Sequence, residues 1–125
     1  KNATAKIDQF AIKAGPDGNP VRYLSGGNIQ KVIIARELSE KPAVLVALYP
    51  TRGLDIGSAE YVHKVIIDGA NQGMSTILIS EDLDELLKLS DEIVVMFRGR
   101  LVGCVDPQTT TREEIGLLMS GEVQT

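Results

Sequence analysis

Apolar positions along the chain form two kinds of run, unbroken and periodic, and the two kinds alternate. Ala43-Val44-Leu45-Val46-Ala47-Leu48 is continuous, rich in Val and Leu, and bounded by Pro42 and Pro50. It is too short for a typical helix and reads as a strand buried on both faces. Thr76-Ile77-Leu78-Ile79-Ser80 reads as a second buried strand. Between them Ala59, Val62, Val65, Ile66 and Ala70 make one helical stripe, which Asp55 or Ser58 can cap and which Asn71-Gln72-Gly73 ends. Strand, helix, strand makes a parallel pair with a right-handed crossover the default, and so an α/β fold.

The flanks follow the same logic. Ile29, Val32, Ile33 and Leu38 recur at helical spacing and predict a helix from about Gly27 to Glu40, with Pro42 marking its end. Residues 1–23 are less regular: an alternation at Phe10 and Ile12, then the turn formers Pro16-Asp17-Gly18-Asn19-Pro20, reads as an extended segment and a loop. Downstream, a short helix from about Asp82 to Leu89 turns Leu83, Leu86 and Leu87 inward. Ile93 to Phe97 and Leu101 to Val105 flank Arg98-Gly99-Arg100 as a hairpin. Thr111-Arg112-Glu113-Glu114 matches a capping box ahead of Ile115, Leu118 and Met119, predicting a last amphipathic helix.

Composition narrows the classes. With 125 residues, 43% hydrophobic and 24% charged, the chain suits one modest core. A net charge of -4 without clustered Lys and Arg argues against a nucleic-acid face, leaving protein or nucleotide as the expected partners. Cys104 is the single cysteine; its apolar alternating run predicts a buried thiol, and a reducing cytosol fits. No apolar stretch is long enough to cross a bilayer, and Lys1-Asn2-Ala3-Thr4 does not open a signal peptide, so no direct membrane insertion is expected.

The chemistry gathers in Leu24-Ser25-Gly26-Gly27-Asn28-Ile29-Gln30-Lys31. A Ser and two Gly feeding a helix N-terminus make a natural phosphate site, because free backbone N–H groups and the positive end of the dipole point outward and glycine permits close approach. Ser25 can also act simply as a helix cap. Leu-Ser-Gly-Gly with Gln30 following resembles the signature sequence of ABC-type ATPases, and Gly53-Leu54-Asp55, after the first apolar strand, resembles their D-loop. The second strand ends at Ser80, in the order and spacing that family shows. Together with Pro50-Thr51-Arg52 and the ending Glu114-Ile115-Gly116-Leu117-Leu118-Met119, the chain resembles the C-terminal part of the second nucleotide-binding domain in ATP-binding subunits of bacterial nucleoside and simple-sugar importers.

That resemblance implies a partial P-loop NTPase domain of the ABC ATPase kind, with a parallel βαβ core, a C-terminal β-hairpin and short helices. Residues 1–41 would be the loop and signature helix of the helical subdomain, and residues 42–125 the C-terminal part of the core. No Gly-x-x-x-x-Gly-Lys-Ser/Thr loop occurs, so an incomplete sheet with an exposed apolar surface is expected. The family's magnesium-organising Asp and catalytic Glu would precede Pro50, where this sequence has Leu48 and Tyr49. An aliphatic side chain offers no ligand to a hard cation, and a phenol of pKa about 10 is a poor base at neutral pH. Glu81 stands where the family has a His that meets the γ-phosphate, and reads as a solvated residue of a helix first turn. His63, mid-helix, reads as structural, and Arg52 either meets a phosphate or partner carboxylate or lies on the surface.

By resemblance, Ser25 would hydrogen-bond a γ-phosphate while Gly26 and Gly27 present N–H groups to it, with Asn28 and Gln30 completing the signature. The nucleotide would be held in trans by the first nucleotide-binding domain of the same subunit, and this chain's own site would be degenerate. ATP and Mg2+ are the implied cofactors of the intact subunit, with no binding expected by the chain alone. Permease subunits and a solute-binding protein are the implied partners, and the implied location is the cytoplasmic face of the plasma membrane through the permease. A non-catalytic dimerisation module and a non-transport ABC ATPase are the competing readings; the acidic balance and the importer-like ending weigh against the second.

Overall fold

The computed structural model describes residues 26–122 and divides into two compact units, one up to Ile79 and one from Ser80 onward. The expectations for residues 1–23, and for Leu24 and Ser25, lie outside the described residues.

The first unit runs α1 (Gly26–Leu38), β1 (Val44–Leu48), α2 (Ile56–Asn71), β2 (Ser75–Ile79). β1 and β2 pair in parallel, Val44 opposite Ser75 through Leu48 opposite Ile79, as the strand–helix–strand pattern requires. α1 stops two residues earlier than the expected Glu40: the Lys41 N–H turns back to the Leu38 carbonyl at 3.1 Å, and Lys41 takes a φ of 47° ahead of Pro42. Ala35 on α1 is buried, with Val32, Leu38 and Tyr61 around it, and Val62 and Ile66 form the buried stripe of α2. Past Asn71 the Gly73 φ of 93° lets the Met74 N–H close the helix on the Gly69 carbonyl at 2.9 Å.

The reading of both strands as buried on two faces is not what the structure shows. Val44, Val46 and Leu48 of β1 and Ile77 and Ile79 of β2 are exposed, Val46 and Leu48 each at 62%. The residues between them are half-buried, so burial alternates with the pleat. α2 lies against β2, and within the first unit the opposite positions of the two strands are left exposed. The exposed apolar surface expected from the sequence is therefore this sheet face.

The second unit runs α3 (Leu83–Leu89), β3 (Ile93–Phe97), β4 (Arg100–Val105), α4 (Arg112–Ser120). Asp82 caps α3 by accepting from the Asp84 and Glu85 amides at 3.0 and 3.3 Å. β3 and β4 form the expected antiparallel hairpin. Arg98 and Gly99 both take positive φ, 45° and 75°, the handedness that a two-residue turn needs to match strand twist. The capping box is present: the Thr111 hydroxyl accepts from the Glu114 N–H at 3.2 Å, and the Glu114 carboxylate accepts from the Thr111 N–H at 2.9 Å. Ile93, Val95 and Ile115 make the core, with Leu83, Leu86, Leu87, Val102, Val105 and Leu118 packed on it.

Cys104 corrects another expectation, since its thiol is exposed and not buried. The ladder slips between Val95 and Met96: Val95 pairs with Gly103 but Met96 with Leu101, so β4 carries one residue more than β3. Cys104 falls opposite Val94, on the side away from Ile93 and Val95, and Val94 is itself exposed. A side-chain hydrogen bond with Glu92 is the main cause pushing the Cys104 thiol pKa up. Glu92→Gln removes the charge, lowers that pKa and enlarges the thiolate fraction at pH 8. Cys104 in this variant is expected to react several times faster with a chromogenic disulfide reagent, and an unchanged rate would contradict the assignment.

Candidate functional site

The signature residues that the structure describes open α1, and the site is built on that helix start. Gly26 is exposed, and a β-carbon added there would meet nothing within 4 Å. Gly27 is buried: a β-carbon there would overlap the Ser58 hydroxyl and come within 2.9 Å of the Ser58 β-carbon. Glycine at position 27 therefore lets two helix starts touch, while glycine at 26 keeps the outer side of the same terminus open. Asn28 is half-buried, and one turn after Gly27 the Gln30 Nε2 donates to the Pro50 carbonyl at 2.8 Å. Lys31 places its ammonium 4.6 Å from the centre of the Tyr61 ring.

The segment after β1 leads from Pro50 to the start of α2. Pro50 is buried, and Thr51 to Leu54 turn tightly, with Arg52 N–H to the Tyr49 carbonyl at 3.2 Å and Leu54 N–H to the Thr51 carbonyl at 3.1 Å. Gly53 has φ 73°, a conformation that favours glycine. Of the two candidate caps it is Asp55 that acts, accepting the Ser58 N–H at 3.0 Å and the Ser58 hydroxyl at 2.8 Å. The Ser58 amide, and then its hydroxyl, hold the Asp55 carboxyl below its ordinary pKa. A carboxyl whose folded pKa is depressed contributes stability above the unfolded carboxylate value, lost as pH falls through the folded one.

The structure thus brings Gly27 and Gln30 together with Pro50, Asp55 and Ser58, residues far apart in sequence. Gly53 and Leu54 lie in the turn between these contacts. The sequence marks Ser58 only as a cap, and nothing in it points to the Pro50 carbonyl as the acceptor for Gln30.

At the end of β1, Leu48 is exposed and Tyr49 sits at φ 46°, its N–H donating to the Ile79 carbonyl at 2.8 Å. The Arg52 guanidinium stacks 5.2 Å from the Tyr49 ring centre, which places Arg52 at the surface turn. An alkyl group and a phenol do not fit a magnesium site. Among the described residues no group of three His, Cys, Asp or Glu side chains could hold a metal. The exposed glycine-led start of α1 does fit an anion such as phosphate. His63 is half-buried in mid-α2. In the second unit Glu81 is exposed but lies ahead of the helix and not in its first turn, because Asp82 takes the cap and α3 begins at Leu83.

No family model matches the chain. It is 44% identical over 124 residues to the guanosine import ATP-binding protein NupO of Bacillus subtilis, covering 99% of this chain and 24% of that protein. It is 49% identical over 122 residues to the glucose import ATP-binding protein TsgD13 of Haloferax volcanii, covering 96% of this chain and 22% of that one. Among solved structures it superposes on MJ1267, an ATP-binding cassette of an ABC transporter, with a TM-score of 0.71 and 25% identity over 94% of this chain and 45% of that chain.

The fold is that of part of an ABC ATPase cassette, with the parallel strand–helix–strand unit, hairpin and short helices in order. More particularly, the chain resembles the ATP-binding subunits of nucleoside and sugar ABC importers along almost its whole length. It spans about a quarter of the length of those curated relatives, 24% of the first. Among the described residues no helix is long and apolar enough to cross a membrane.

Proposed function

We propose that this chain serves an ATP-binding subunit of a nucleoside or sugar ABC importer by offering the start of α1 to the γ-phosphate of an ATP held on another nucleotide-binding domain. The observation that carries this reading is the two-sided helix start: Gly26 open to solvent, Gly27 locked against Ser58. In this reading Ser25, Gly26 and Gly27 meet the phosphate, Asn28 and Gln30 support the helix start, and Gly53, Leu54 and Asp55 form the D-loop beside it. The nucleotide, its magnesium and the hydrolytic base belong to the first domain of the same subunit. Leu48, Tyr49 and Glu81 stand at motif positions and do none of the chemistry those positions carry in the family. Permease subunits would hold the assembly at the inner face of the membrane, with a solute-binding protein delivering the cargo.

What the residues do is electrostatic. Backbone N–H groups of the first turn and the positive helix end meet the charge that grows on the transferring phosphoryl group, and the rigid seat of α1 fixes their direction before the nucleotide arrives. Tyr49→Phe in the assembled subunit is expected to leave ATP turnover within about twofold, because the ring that Arg52 stacks on is kept and no hydroxyl chemistry is lost. A loss of an order of magnitude would contradict the silent site.

The exposed set Val44, Val46, Leu48, Ile77 and Ile79 favours a second reading, in which the chain is chiefly a packing platform for an intact twin. Turnover that ignores charge placed at Gly26 would favour it.

A further inference from the structure

α1 touches both ends of the D-loop turn from one face. Gly27 and Gln30 are three residues apart and so lie on one side of the helix. The Gln30 amide donates to the Pro50 carbonyl just before the turn, and Gly27 packs on Ser58, whose amide and hydroxyl hold Asp55, just after it. Between these points Arg52 and Gly53 are exposed, and the turn's own amide bonds lead back to Tyr49 and Thr51. Any displacement of the helix start is therefore imposed on Pro50 and Ser58 together, and through Ser58 on Asp55.

We propose that Gln30 is a positioning residue, distinct from the phosphate-facing part of the signature, that ties the signature helix to the D-loop turn so that the two respond as one body when nucleotide is engaged. This rests on the trans reading above. The physical content is specific. Gly27 against Ser58 is a steric stop that resists approach but cannot pull. The Gln30 hydrogen bond, half-buried and reaching a buried residue, can hold the turn when the helix moves away. It also gives the Pro50 carbonyl a donor, and an acceptor left without one at a buried position is costly.

Gln30→Glu preserves length and helix propensity but turns an amide that donates into a carboxylate that faces a carbonyl oxygen; Gln30→Met removes the donor without adding charge. On the whole chain, hydrogen exchange at the Arg52 and Leu54 amides should quicken about tenfold in both variants, as loss of one hydrogen bond would give. Exchange along β3 and β4 should stay unchanged, which excludes general destabilisation. In the assembled subunit, kcat for ATP should fall about tenfold with KM within about twofold, since the tie acts after nucleotide is bound. Unchanged exchange at Arg52 and Leu54 overturns the tie. Faster exchange with unchanged kcat overturns its coupling to turnover. Failure of the trans reading itself registers separately, as turnover indifferent to Gly26→Asp, while exchange still judges the tie.

Discussion

Gly26→Asp is expected to lower ATP turnover of the assembled subunit by at least about 100-fold while leaving the chain as stable as before. A carboxylate at the first position of α1 would stand within a few ångströms of the γ-phosphate in the trans reading. Two like charges at about 4 Å repel by roughly 4 kcal/mol near a protein surface, well above the roughly 2.7 kcal/mol that 100-fold requires. Nothing in the free chain opposes the substitution, because a β-carbon at Gly26 has open space and an acidic group favours a helix N-terminus. Loss of turnover would therefore report charge at the phosphate and not misfolding. Gly26→Ala, which adds bulk without charge, should cost far less. Gly27 is the wrong position for this test: any side chain there meets Ser58, so a loss would not separate electrostatics from a displaced helix. Steady-state phosphate release with both variants decides the matter, and equal effects of Ala and Asp would contradict the charge argument.

Ile115→Ala is expected to cost about 3 kcal/mol in unfolding free energy, the middle of the range for emptying a well-packed aliphatic site. Ile115 is 1% exposed and sits with Ile93 and Val95 at the centre of the second unit's core. Truncation there leaves a cavity bounded by strand and helix residues, and regular elements collapse poorly into such space. Met119 on the same helix is 48% exposed, and its replacement by Ala should stay within about 0.5 kcal/mol. Urea denaturation of the two variants supplies the comparison. Similar losses would mean that α4 is not seated through Ile115.

The sequence was most informative where the signal is local. Thr111 and Glu114 cap their own helix within four residues, and Arg98-Gly99 dictates its own turn, so both were legible without any long-range contact. The apolar runs around Val46 and Ile77 revealed strands and their parallel pairing, yet not how many faces are covered, because covering depends on which other elements are present. Cys104 was misplaced for a different reason: one extra residue in β4 reverses the facing of everything beyond it, and apolar alternation cannot register such a slip. At the candidate site, Gly26, Gly27 and Asp55 stand out in the sequence by their resemblance to motif residues. What the motif did not disclose is that the two glycines do opposite things, one leaving space open and one letting Ser58 close it. The reach of Gln30 to Pro50 crosses 20 residues and leaves no trace in spacing or composition.

The chemistry of Leu48 and Tyr49 was legible outright, since what a side chain cannot do follows from its identity. Their setting adds that Tyr49 is occupied with Arg52 on the outer side of the turn. Both facts bear on the claim that this chain completes a nucleotide site without possessing one. The most direct test is a calorimetric titration of Mg-ATP into the chain alone, and then into the chain mixed with the first nucleotide-binding domain. The account predicts no binding by the chain alone below millimolar nucleotide, and tighter binding by the mixture than by the first domain on its own. Micromolar binding by the chain alone, or a mixture no tighter than the first domain, would contradict it.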